Sequence, residues 1–252
     1  MQPQVIHSNS PSEEMVGLHN ADLPKASAKI IEGSTWKKMR TVIIMPSDDM
    51  IHSKVAMSWA SLMMPPNQSA HRILALGCEV GDAYSRAIAD VLAHPDLSQW
   101  EYILTCEADN ILPPDGLVKL QKQMDKHPEF AAISGLYFMK SFEPMAHIWG
   151  RPDLDPVVNF RPCPPVPDQL IETYGTSMGM TLFRMSIFKD ERIPRPWFKT
   201  LNGDDGRGIG TQDLSFWGEA RKYGYRCAVD CSVKVGHIDY DGRFSGHKGF
   251  VL

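Results

Sequence analysis

The chain has 252 residues, 43% of them apolar, enough for one large α/β domain or two small ones, and one domain is the simpler reading. A formal net charge of −4 and a pI near 6.1 exclude a global attraction to nucleic acid or anionic membrane, while leaving room for a local basic groove. Five cysteines, at 78, 106, 163, 227 and 231, form no C-x-x-C pair, so reduced and mostly buried thiols are expected in place of a disulfide framework.

The first residues, MQPQVIHSNSPSEEM, have neither the basic start nor the apolar core of a leader. No run of ~18 apolar residues exists for a spanning helix. A soluble, cytoplasmic protein without a membrane span is therefore expected. Residues 1–38 mix Pro, Ser, Asn and charge without a sustained period, which predicts an irregular arm with at most a short helix; 39–252 should form the single folded domain. Order should begin at Thr41. Val42-Ile43-Ile44-Met45, stopped by Pro46, is a continuous apolar run of the buried parallel-strand type, and Arg72 to Leu76 before Gly77 repeats it. Between them, Lys54 to Leu62 predicts a helix ended by Pro65-Pro66. From Asp82 onward, Tyr84, Ala87, Ile88, Val91 and Leu92 fall at helical spacing, and Tyr102 to Cys106 is the next strand. Pro113-Pro114-Asp115 opens another helix, with Asp115 as N-cap and Leu117, Leu120 and Met124 on one face, before Ala131-Ala132-Ile133 returns as a strand. This alternation predicts an α/β fold with a mostly parallel sheet flanked by helices.

The second half changes character. Pro152, Pro156, Pro162, Pro164, Pro165 and Pro167 exclude a helix or a central strand and leave an ordered surface loop, either a substrate lid or a rigid spacer over the sheet. Met180 to Phe183 resumes a strand, and Gly203, Gly206, Gly208 and Gly210 mark the most flexible stretch. Thr211 or Asp213 can then cap a helix whose inward stripe is Leu214, Trp217 and Ala220, ended by Gly224. A last strand pair, Arg226 to Val229 and Val233 to Val235, delivers Gly236-His237.

Three positions carry the chemistry. Glu107-Ala108-Asp109-Asn110 places two carboxylates two residues apart where an apolar strand runs out. Ligands sit at the carboxyl ends of parallel strands, and oxygen ligands suit Mg²⁺ or Mn²⁺, which in turn hold a diphosphate. The plain alternative is a strand-to-loop turn, where Asp and Asn are common. Asp213, beside the glycine-rich loop, is either a first-turn acid complementing the helix dipole or a general base. His237, emerging from an apolar strand after Gly236, is either an ordinary histidine or a further metal ligand.

Together these segments resemble the family 2-like glycosyltransferases with the GT-A fold, in particular the short bacteriophage and bacterial forms. The resemblance runs from Thr41 to Ile238. Its strongest parts are Gln212-Asp213-Leu214-Ser215-Phe216-Trp217 with Gly224-Tyr225-Arg226 and Val229 through Ile238, and the Tyr102 to Asp115 segment with Pro113-Pro114-Asp115. Gly135-Leu136-Tyr137-Phe138 and Gly175 to Met180 are similar to the family's sheet core and acceptor-side strand. Two departures are Glu107, where the family usually has Asp, and Gln212, where it usually has an acid. The resemblance implies a nucleotide-diphosphate sugar donor and Mn²⁺ or Mg²⁺ bound by Asp109 and His237. It places Pro46, Ser47 and Glu79 at the nucleoside, Arg86 near base or phosphate, and Glu107 at a ribose hydroxyl or the ion's shell. Asp213 would be the base of an inverting hexosyl or pentosyl transfer, with the Gly203 to Gly210 loop closing over the donor. The acceptor would be a glycan, a protein or a hydroxymethylated base of phage DNA, the last served by a basic rim of Lys234, Arg243, His247 and Lys248.

Two other classes compete. A nucleotidyltransferase wants a Gly-rich basic loop after the first strand, and Met45-Pro46-Ser47-Asp48-Asp49-Met50 has no Gly, Arg or Lys. A non-catalytic nucleotide-sugar or glycan-binding protein is suggested by Glu107 and Gln212, but Asp109, Asp213 and His237 speak against it.

Overall fold

The structure is a computed structural model that describes residues 4–7, 41–48, 50–66, 68, 70–202 and 208–239. Its first half contains β1 (Gln4–His7), β2 (Thr41–Ser47), α1 (Ser53–Ala60), β3 (Ala70–Leu76), α2 (Val80–Ala93), β4 (Tyr102–Cys106), β5 (Asn110–Ile111), α3 (Gly116–Lys126) and β6 (Ala132–Leu136). The second half adds β7 (Leu170–Thr173), β8 (Met180–Arg184), α4 (Ser186–Lys189), β9 (Leu201–Asn202), β10 (Gly208–Gly210), α5 (Gln212–Ala220), β11 (Cys227–Lys234) and β12 (Gly236–His237). Eight strands form one sheet in the order β1-β3-β2-β4-β8-β6-β11-β7.

Strands β2, β3, β4, β6 and β11 run one way; β1, β7 and β8 run the other. The sheet is thus mostly parallel in direction, as expected, with β8 reversed at its centre. That reversal matters for the site. It puts the amino end of β8 on the same edge as the carboxyl ends of β2, β4, β6 and β11.

Continuous apolar strands need cover on both faces. Side chains alternate along β2, so Val42 and Ile44 join Tyr84, Ala87, Ile88 and Val91 of α2 and Phe216, Trp217 and Ala220 of α5. Ile43 faces the other way, with Leu104, Ile133 and Leu182, onto Leu117, Leu120 and Met124 of α3. Each fully buried aliphatic or aromatic side chain contributes ~1.5–3 kcal/mol. All five cysteines are free, and Cys106, Cys227 and Cys231 are buried.

Several expectations shift in detail. Gln4–His7 pairs antiparallel with β3, Gln4 opposite Leu76 and His7 opposite Ile73, so the arm carries an edge strand; its other residues lie outside the described ones. Helix α1 stops at Ala60, short of the expected Leu62, which packs as a buried residue. Helix α2 starts before Asp82 because the Glu79 carboxylate accepts from the Gly81 and Asp82 amides at 2.9 and 3.1 Å, satisfying orphan donors of the first turn. Asp115 stands at the N-cap of α3 but makes no cap bond; its carboxylate pairs with Lys119 at 2.9 Å. The expected final strand pair is one strand, β11, whose register with β6 shifts between Asp230 and Lys234. There Asp230 accepts from the Ser232 amide at 2.9 Å. In the glycine-rich stretch, Gly208–Gly210 pairs with Leu201–Asn202, while 203–207 lies outside the described residues, as do Arg243, His247 and Lys248 of the expected basic rim.

The proline-rich segment is strapped to the edge of the sheet. The Gly150 amide donates to the Arg161 carbonyl and the Cys163 amide to the Ile148 carbonyl, both at 2.8 Å, and the Cys231 amide of β11 donates to the Gln169 carbonyl at 2.9 Å. Gly150 has φ +70°, and a Cβ there would meet the Asn159 carbonyl oxygen at 2.1 Å, so only glycine fits. These bonds favour the spacer over the lid.

Candidate active site

Parallel strands β3, β2 and β4 end together, and the segments leaving their carboxyl ends line a cleft of about 430 Å³. Pro46 and Ser47 come from β2, Cys78 and Val80 from the β3–α2 turn, and Glu107 and Asp109 from the turn after β4. Of the residues expected around a donor, Pro46, Ser47 and Glu107 share this cleft. Glu79 and Arg86 are not among its lining residues. The Glu79 carboxylate is taken by the α2 amides and by the Thr200 hydroxyl at 2.9 Å, and Arg86 pairs with Asp82 at 2.8 Å with its side chain 56% exposed. Neighbouring Ser85 faces inward and accepts from the Phe198 amide at 3.2 Å.

A two-stranded ribbon brings the end of the domain to this cleft. β12 pairs antiparallel with β5, His237 opposite Asn110, and the Ile238 amide donates to the Asp109 carbonyl at 2.7 Å. The His237 Nε2 atom thereby lies 3.4 Å from Asp109 Oδ2. Its Nδ1 atom is 2.7 Å from the Phe138 carbonyl oxygen. A carbonyl only accepts, so Nδ1 carries a proton, and Nε2 is the ring atom that faces the carboxylate. The Lys140 ammonium donates to the same Asp109 Oδ2. Burial pushes the Asp109 carboxyl up, but the hydrogen bond and charge of His237 and the pairing with Lys140 outweigh it and leave it at about 2.

Asp213 reaches the same region from the first turn of α5. It is 6% exposed, and its Oδ1 accepts from the Leu214 amide at 2.9 Å. Burial raises its pKa, while hydrogen bonds with the Thr211 and Ser177 hydroxyls act in the opposite direction. The Ser177 Oγ also lies 2.7 Å from His147 Nδ1 and accepts from Trp149 Nε1 at 2.8 Å. The His147 ring stacks on Tyr137 at 4.3 Å between centroids, and the Tyr137 hydroxyl accepts from the Gly179 amide at 2.9 Å. Burial and then the neighbouring His237 hold His147 down at about 3. Glu107 is raised to about 8 by burial, then by the charges of Asp109 and Asp213, against the pull of Lys140. Glu107 and Asp109 line the cleft, His237 lies against Asp109, and the charge of Asp213 reaches Glu107.

No family model and no curated protein matches the sequence. Solved structures do share the fold. A197 from STIV superposes with a TM-score of 0.56 at 13% identity, over 80% of this chain and 86% of that one. GalNAc-T7, crystallised with UDP, GalNAc and Mn²⁺, superposes with a TM-score of 0.51 at 8% identity over 80% of this chain. The fold is GT-A. S. aureus TarS lies at a TM-score of 0.48 and 13% identity over 78% of this chain. The chain spans 44% of GalNAc-T7 and 36% of TarS, so it corresponds to part of each.

In this GT-A sheet the donor set can be tested against a divalent ion. Among the described residues no group of three or more His, Cys, Asp and Glu side chains is arranged to hold a metal. What converges is one carboxylate and one imidazole nitrogen, with the Phe138 carbonyl holding the ring from behind and an ammonium already on the carboxylate. Mg²⁺ takes one or two protein ligands and completes its shell with water and phosphate oxygens. Asp109 supplies one such oxygen ligand, and His237 adds an imidazole nitrogen, which the more tolerant Mn²⁺ accepts more readily than Mg²⁺.

The sequence offered no role for Lys140, His147, Trp149, Tyr137 or Ser177. Tyr137 and Ser177 fall in segments similar to the family, and His147-Ile148-Trp149 alternates with strand period between loop residues. Lys140 has no local signal, because its meaning comes from Asp109 across the hairpin.

Proposed function

We propose that this chain transfers a sugar from a nucleotide-diphosphate sugar to an acceptor hydroxyl, with inversion and with a divalent ion held by Asp109 and His237. What supports the reading is a cleft on the carboxyl edge of β2, β3 and β4 lined by Glu107 and Asp109, with His237 Nε2 3.4 Å from Asp109 and the charge of Asp213 reaching Glu107. Pro46 and Ser47 border the nucleoside, and Glu107 faces the ribose or the shell of the ion. The bound ion supplies Lewis-acid stabilisation of the departing diphosphate. Asp213 accepts the acceptor's proton as the acceptor oxygen bonds to the anomeric carbon. The bond from that carbon to the diphosphate oxygen breaks, and its electron pair leaves with the diphosphate. Burial makes Asp213 a stronger base than an exposed aspartate, and Thr211 and Ser177 hold its orientation. Glu79 acts indirectly, fixing the start of α2 so that Cys78 and Val80 form the wall.

A panel of nucleotide-sugars with MnCl₂, read by donor hydrolysis and thermal stabilisation, tests this. One donor should stabilise the protein and turn over, and Asp109→Asn should lose both effects. A panel without any hit removes the donor reading. A hit that binds but never turns over across a broad set of acceptors favours a binding protein instead.

A further inference from the structure

We propose that Lys140 is a displaceable counter-cation: it holds the ion site closed until a divalent ion enters, and then turns its charge to the diphosphate. The inference rests on Asp109 and His237 being the ion's ligands. Lys140 and Asp109 are both sheltered, their side chains 26% and 27% exposed, and the ammonium sits on the carboxylate oxygen that also faces His237 Nε2. An ion bound between Asp109 and His237 needs that volume. Two cations on one carboxylate oxygen repel, so ion entry and the Lys140–Asp109 pair exclude each other.

The way Lys140 is carried lets it leave. It lies on a hairpin whose base is the Phe138–Ala146 bridge, with the Met139 amide donating to the Met145 carbonyl at 2.8 Å. The turn beyond Lys140 is exposed, with Phe142 at 80% and Met145 at 48%. At the base of the same hairpin the Phe138 carbonyl holds His237 Nδ1. One short segment therefore fixes the imidazole ligand and supplies the charge that the ion replaces. A lysine ammonium is a compact point charge on a four-carbon stem, so it swings while the hairpin base stays put. A diphosphate gives the released ammonium a new partner, so ion and diphosphate strengthen each other's binding, and the ion alone binds weakly.

The test uses Mn²⁺ alone, titrated into the full chain and followed by electron paramagnetic resonance of the free ion. Lys140→Met and Lys140→Gln should tighten Mn²⁺ by about tenfold relative to wild type, the scale of one sheltered charge pair. Without ion both variants should melt below wild type, and Mn²⁺ should raise their melting temperature more than it raises that of wild type. Asp109→Asn should abolish Mn²⁺ binding in either background. Unchanged or weaker Mn²⁺ binding in both Lys140 variants, with Asp109→Asn still abolishing it, overturns the role of Lys140 and leaves the ion site standing. Mn²⁺ binding indifferent to Asp109→Asn overturns the ion site and this inference together.

Discussion

Pro46, Ser47, Cys78 and Val80 form one wall of the cleft at the ends of close-packed parallel strands, whereas Lys140, His147, Ser177, Asp213 and His237 form a second, polar wall beside Glu107 and Asp109, outside the lining of the cleft itself. The first wall is held by apolar burial: Val42, Ile43, Ile44 and Met45 are fully buried behind it. The second is held by polar cross-links, among them Ser177 with His147 and Trp149, His237 with the Phe138 carbonyl, and Lys140 with Asp109. Glu107 and Asp109 stand at the seam. The contrast separates shape from chemistry, because the first wall brings a single carboxylate, Asp48, to the cleft, and most of the titratable groups stand at the seam and beyond it.

If the separation is real, changes on the polar wall should remove activity before stability. Asp213→Asn is the sharpest case: turnover should fall ~10²–10⁴-fold, the usual worth of a positioned base, while donor binding and melting temperature stay near wild type. Turnover close to wild type would remove Asp213 from the role of base. The joint between the walls should behave in the opposite way. At Gly179 a Cβ would lie 2.5 Å from Asn110 Oδ1 and 2.7 Å from the Tyr137 ring. Gly179→Ala should therefore cost ~3 kcal/mol of stability, seen in chemical denaturation, through a forced shift of both neighbours. An unaltered denaturation midpoint would mean that the joint is loosely packed.

The first wall was the legible one, for a physical reason. Its strands are continuous apolar runs ended by Pro46, Gly77 and Glu107, and each packs on a helix close to it in sequence. Periodicity reports such local packing directly. The second wall depends on contacts far apart in the chain. Two-residue strands β5 and β12 carry no periodic signal, yet they decide that His237 meets Asp109. Resemblance to a family located both residues, but nothing local indicated that Lys140 would share their space. For Glu79 and Arg86 the resemblance implied donor contacts, whereas in the structure helix-start amides and Asp82 take up their charges. β1 escaped notice because four residues in a polar arm acquire strand geometry only by pairing with β3.

The seam can be probed through pH. Glu107 has a folded pKa of about 8 against an ordinary 4.5, so the folded state holds its proton more tightly than the unfolded chain does. That contribution is complete below the ordinary value and is lost as pH rises through about 8. Glu107→Gln cannot ionise, so it should match wild type near pH 5 and exceed it at pH 9 by ~1–2 kcal/mol. Melting curves of the two proteins at both pH values check the sign. Parallel curves would show that neither burial nor the charges of Asp109 and Asp213 raise the Glu107 pKa.

The smallest effect tests how finely the polar wall is set. Thr211 stands at the N-cap of α5 without making a side-chain cap bond, yet its hydroxyl bonds to Asp213 and lowers a pKa that burial raises. Thr211→Val keeps the shape and removes that donor, so the Asp213 pKa should rise further. A base must be ionised to accept a proton, so the acid limb of kcat/KM should move to higher pH. Activity on the acid side should fall roughly twofold while the alkaline plateau is kept. Equal loss at every pH would mean that Thr211 merely shapes the start of α5. An unmoved acid limb, with Asp213→Asn inactive, would mean that the titration controlling the rate belongs to another group, and Glu107, coupled to the same charges, would be the first to examine.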